Sequence, residues 1–205
     1  MADEMLDESQ NNYICAVYED SAGAALARCD LSTGQFTAAP FQGKDFLPHL
    51  LNALAACPPS EAILSDSAAS DSSLTEFLKE RLNCLCQPAV EARFRPVQAQ
   101  EALCACHLRR EGEPFPEEDG PRMCLQAAGA LAAYLTETQK TDLGHLGPLV
   151  VEEGLSQAYM ELDLTARKTL ELTETFRGKE KKGSLLWVLD KTKTPMGHRL
   201  IRAWL

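Results

Sequence analysis

Three short apolar runs joined by two tight turns open the chain, and they restrict its fold more than any other feature. The runs are YICAVY at 13–18, AALARCDL at 24–31 and QFTAAP at 35–40. Glu19-Asp20-Ser21-Ala22-Gly23 and Ser32-Thr33-Gly34 separate them, each a polar turn with a glycine. Connections this short join antiparallel neighbours, so the spacing predicts a β-meander ended by Pro40.

The period then changes. Phe46, Leu47, Leu50, Leu51 and Leu54 lie on one helical face, with Pro48 tolerated in the first turn and Cys57-Pro58-Pro59 as the stop. EAILS at 61–65 reads as a short strand. Ser73-Leu74-Thr75-Glu76 has the letters of a capping box for the helix carrying Phe77, Leu78 and Leu82. A strand within 83–95, broken by Pro88, and a helix from about Gln98 to Leu108 follow. EGEPFPEEDGP at 111–121 is an exposed loop. Beyond it Leu125, Ala128, Leu131, Ala132 and Leu135 share the face of an alanine-rich helix narrow enough for close packing. A meander followed by alternating strands and helices gives an α/β unit, a mixed sheet with flanking helices in the order of the ribonuclease H-like architecture. Catalysis in that architecture needs carboxylates converging on two metal ions, one of them from the middle of the first strand. YICAVY has none, and Asp30 and Asp66 at strand ends are ordinary, so the expected role is scaffold rather than nuclease.

Charge divides the 205 residues in two. Residues 1–165 hold 10 basic and 26 acidic side chains, net −16; residues 166–205 hold 10 basic and 4 acidic, net +6. The acidic part is unsuited to gripping nucleic acid, and the break suggests one unit joined to a piece of another. No apolar run approaches the roughly 20 residues of a bilayer span, and the acidic start MADEMLDESQNN shows no secretory h-region. The eight cysteines are therefore read as reduced. A zinc site from Cys84, Cys86, Cys104, Cys106 and His107 is disfavoured because C-x-C is tighter than the usual structural spacing.

The second unit reads as helical from an N-cap at Asp163 to about Phe176, a basic loop RGKEKKGS at 177–184, a short helix in SLLWVLD, and a last helix started by Thr194-Pro195. Leu200, Ile201, Trp204 and Leu205 end the chain in mid-pattern, as in a truncated piece. Leu185, Leu186, Trp187, Leu200, Ile201 and Trp204 are expected to fold back on the first unit, pair with another copy, or fray. Gly178 and Gly183 have phosphate-loop spacing, but Ser184 stands where the essential lysine would be. His49, His107, His145 and His198 form no catalytic pattern. Arg177, Lys179, Lys181 and Lys182 are candidate phosphate contacts; the ordinary reading of such a run is a solvated loop.

LQAAGALAAYLTETQKTDLGHL (125–146), MELDLTARKTLELTETFRG (160–178) and GSLLWVLDKTKTPMGHRLIRAWL (183–205) resemble bacterial MutS, the family of DNA mismatch-recognition ATPases. The L-D-x-x-T-x-R-x-x-L-E-L and S-L-L-x-V-L-D-x-T-x-T-x-M-G-x-R-x-L-x-x-W runs are specific to that family's core. NNYICAVY and ARCDLSTGQF are similar to the opening of its connector. Thr169 departs from the family, which usually has Asn there. The resemblance implies a linker tail at 1–11, a connector at 12–139, a linker at 140–156 and the start of the core at 157–205. It implies a cytoplasmic parent that binds ATP, Mg and mismatched DNA, works as a homodimer and meets a MutL homologue. The piece itself is expected to hold no cofactor and no catalytic residue. Phe115-Pro116-Glu117 fits the family's mismatch-reading F-x-E by letters only, and its role is not carried over. Other classes remain: a stand-alone acidic interaction module, or a ribonuclease H-like nuclease.

Overall fold

The computed structural model describes residues 12–88, 90–139, 146–152, 162–178 and 180–205. The meander forms: β1 (Tyr13–Asp20), β2 (Gly23–Asp30) and β3 (Gln35–Gln42) pair antiparallel, with Asp20 opposite Gly23 and Asp30 opposite Gln35. Gly23 is required at its turn. Its φ is +141° and an added Cβ would lie 2.2 Å from the Phe41 carbonyl oxygen. β3 runs through Pro40 instead of stopping there. On its outer side β3 is paired only over Phe36–Ala38, so Pro40 lies beyond that ladder, where a missing N–H is tolerated.

Helix α1 (Phe46–Ala56) leads to β4 (Pro59–Leu64), which lies parallel to β1. Two short helices follow, α2 (Asp66–Ser70) and α3 (Ser72–Glu76). The cap of α3 is Asp71, whose carboxylate accepts from the Ser73 and Leu74 amides, rather than the Ser73 capping box. The next turn, Phe77–Arg81, widens into a π-helix before Asn83 reverses the chain at φ 54°. Then come β5 (Leu85–Pro88), parallel to β4, and α4 (Pro96–Ala105). Helix α5 (Asp119–Gln139) begins inside the segment 111–121 expected to be a loop, because proline is tolerated in a first turn. A strand from the segment after it, β6 (Leu149–Val151), lies parallel to β3. The sheet order is β5-β4-β1-β2-β3-β6.

Strand alternation sends side chains to two cores. Ile14, Ala16, Ala25, Ala27 and Phe36 pack with Leu103 of α4 and Met123, Leu131 and Leu135 of α5. Cys15, Val17, Leu26 and Phe41 pack on the other face with Leu50 and Leu54 of α1 and Leu74 and Leu78. Alanine makes close approach possible: Gly129 of α5 rides on Ala99 of α4, with 2.3 Å between a would-be Cβ and the Ala99 Cα.

In the second unit α6 (Leu164–Thr169) has the expected Asp163 cap but stops seven residues before Phe176. Glu171 adopts φ 49°, and the Leu172 amide reaches back to the Arg167 carbonyl, a helix-terminating turn built on a left-handed residue other than glycine. Helices α7 (Leu185–Leu189) and α8 (Pro195–Trp204) start at their Ser184 and Thr194 caps. No helix of the described residues is long and apolar enough to cross a membrane.

Candidate functional site

The basic C-terminal unit is organised around one carboxylate. Asp190 follows α7, and its side chain is 1% exposed. It accepts from the Thr192 amide at 3.1 Å and the Thr192 hydroxyl at 2.6 Å, and it meets Lys181 Nζ and His198 Nδ1. Burial alone would raise its pKa; the hydrogen bonds from Lys181, Thr192 and His198 outweigh that and hold the carboxyl well below the usual range. The neighbouring residues of the D-x-T-x-T-x-M-G run serve the same turn. Thr194 caps α8 through the Gly197 amide, and a Cβ at Gly197 would sit 2.9 Å from Thr192. The run thus joins α7 to α8, while the Leu185 and Leu186 amides tie α7 to the Glu171 and Leu172 carbonyls.

This arrangement separates the four candidate cations. Lys181 is held by Asp190, although its own side chain is 44% exposed. Arg177 and Lys182 are exposed, and Lys179 lies outside the described residues. The loop carrying them is closed on itself, since the Thr175 amide donates to the Glu180 carbonyl and the Phe176 amide to a Glu171 carboxylate oxygen. Of the six apolar side chains expected to lack partners, Leu186 is buried and Ile201 half-buried. Leu185, Trp187, Leu200 and Trp204 remain exposed, Trp204 by 75%. Sequence reading missed Asp190; the sign available was an acid followed two residues later by threonine, an Asx-type turn.

In the sheet domain the cysteines are divided. Cys84 and Cys86 pack in the core beside α1, Cys106 against the core beside α5, on opposite faces of the sheet. Among the described residues no three of His, Cys, Asp and Glu are placed to hold a metal ion. Asp30 accepts from the amide and hydroxyl of Ser32 and so braces the turn after β2. Asp66 lies in the first turn of α2. At the far end of β1, Glu19 has its carboxyl pushed up by burial and by its neighbours Asp71 and Asp20. Asp71 is committed to capping α3.

Residues 12–147 match the family described as MutS domain II, and residues 165–205 match MutS domain III. The chain belongs to the MutS family. It is 40% identical over 204 residues to the DNA mismatch repair protein MutS of Ruminiclostridium cellulolyticum, covering 98% of the chain. The MutS proteins of Acetivibrio thermocellus and Symbiobacterium thermophilum are 34% and 38% identical over the same share. In each case the chain spans 22% of the MutS relative's length. The domain II match takes in the whole six-stranded sheet except β6, which begins two residues beyond it; the domain III match takes in the Asp190 turn and α8.

Proposed function

We propose that residues 12–139 act as the connector, and residues 157–205 as the opening of the core, of a MutS-type mismatch-recognition ATPase. The observation that carries this reading is the similarity to a MutS protein, 40% identical over 98% of the chain. In this reading the connector couples the mismatch-binding and ATPase regions of the parent and offers a surface to a MutL homologue. ATP and Mg are bound by parts of the parent outside these residues, so the chain alone is no enzyme. The parent works as a cytoplasmic homodimer on mismatched DNA.

The antiparallel β1–β2–β3 meander with β4 and β5 parallel to β1 supports a ribonuclease H-like scaffold. Its use as scaffold rather than nuclease is supported by the middle of β1, where Cys15, Ala16 and Val17 are buried apolar residues. Arg177 and Lys182 are the cations left for a DNA phosphate in the parent.

The test is a full-length MutS of this sequence with residues 12–139 deleted. ATP hydrolysis is expected to persist while its response to a mispair is lost. Retention of a full mismatch response would overturn the coupling role.

A further inference from the structure

A cavity of about 520 Å³ lies between the two units. Its wall holds Arg81, from the π-turn after α3, Arg167 and Lys168, from the last turn of α6, and Arg202, from the last turn of α8. Glu174 is its one acid, so the lining carries four positive charges against one negative, net +3. Among the described residues none of the four cations has a carboxylate within ion-pair distance. By contrast Arg28, Arg93, Arg109 and Arg122 are paired with Glu152, Glu137, Glu113 and Asp20. A cation in a helix's last turn is ordinary, because it complements the helix dipole. That accounts for each residue singly; it does not account for three helical segments delivering their last turns to one cavity in a chain with 30 acids.

We infer that this cavity binds a small phosphorylated anion. Guanidinium groups match phosphate oxygens with paired N–H donors, and a net charge of +3 suits a ligand with two or three negative charges better than a lone carboxylate. The volume lies within the range of small-molecule sites. Leu82 and Leu172 offer apolar wall for the organic part. Arg81 belongs to the sheet domain and the other three to the second unit, so an occupant would join the two.

The test is calorimetric titration of the 205-residue chain with inorganic pyrophosphate at constant ionic strength, alongside the Arg167→Gln/Arg202→Gln double variant. Saturable binding that falls about tenfold or more in the double variant is expected. Arg81→Gln, an exposed change on a different element, is expected to weaken binding several-fold and covers the case in which the double variant fails to fold. Absence of pyrophosphate binding, or equal binding by all three proteins, overturns the inference. So does binding of duplex DNA, but not pyrophosphate, through these arginines, which would make the cavity part of a nucleic-acid groove.

Discussion

At the scale of single residues, Asp190 carries more of the C-terminal unit than any other side chain. It replaces its lost hydration with hydrogen bonds from three residues, and removing it takes away the acceptor that holds Lys181, Thr192 and His198 together. Asp190→Ala is expected to cost about 2 kcal/mol of local stability, read as faster amide exchange across residues 185–204. The pH dependence has a definite sign. The folded pKa is depressed, so the contribution is complete above the unfolded value of about 3.9 and is lost as pH falls through the folded value. Exchange at 185–204 should therefore be flat in protection from neutrality to mildly acid pH, and Asp190→Asn should already be less protected at neutral pH. The cysteines give a second residue-level prediction. Burial pushes Cys29 and Cys124 up to about 12 and Cys15 well above the usual range, which keeps them as unreactive thiols. Alkylation of the native chain followed by mass spectrometry should modify Cys57, Cys104 and Cys106, which are part-exposed, well before Cys15, Cys29 and Cys124. Early labelling of the buried three would contradict the two-core packing.

At the scale of elements, the contact between α4 and α5 rests on a missing side chain. A Cβ at Gly129 would overlap backbone and side chain of Ala99 at 2.3–2.7 Å, and neither can rotate away. Gly129→Ala must part the helices and is expected to destabilise the domain by about 1–3 kcal/mol, seen as a lower urea midpoint. Thr136→Ala on the same helix, which removes a methyl and a hydroxyl that donates to the Ala132 carbonyl and meets Cys106 Sγ, should cost less. The elements most legible in the sequence are those with local causes. The meander follows from its turn spacing, α1 from its leucine period, α7 from its apolar run, and α6 and α8 from Asp163 and Thr194 at their starts. What escaped has causes that hydrophobic periodicity and cap residues do not carry. β3 continues through Pro40 because the pairing of a neighbour on its outer edge stops at Ala38. α6 ends early because Glu171 takes a left-handed conformation that no glycine announces. The four cations of the cavity join residues that lie apart in sequence, so spacing alone could not assemble them; the Asp190 cluster is local, and only its Asx-type turn marked it.

At the scale of the whole molecule, the charge break acquires a structural meaning. Of the 30 acidic residues, 26 lie in residues 1–165, which include a sheet covered by helices on both faces; the 20 basic residues divide evenly, so the last 40 residues, which expose Trp187, Leu200 and Trp204, are basic for want of acids. As the cations proposed to meet a DNA phosphate, the exposed Arg177 and Lys182 are expected to give only a weak, diffuse attraction. Binding of duplex DNA by the chain should be detectable only at low salt and should fall steeply as salt rises; salt-independent binding would contradict the division of charge. The chain belongs to the MutS family, and the connector role proposed for residues 12–139 requires a surface that a MutL homologue can bind. The most direct measurement is a pull-down of the purified 205-residue chain against the MutL homologue encoded in the same genome, read quantitatively by titration. Saturable binding that survives removal of residues 177–182 is predicted. No binding at any attainable concentration, with the chain shown to be folded by its thiol protection, would contradict it.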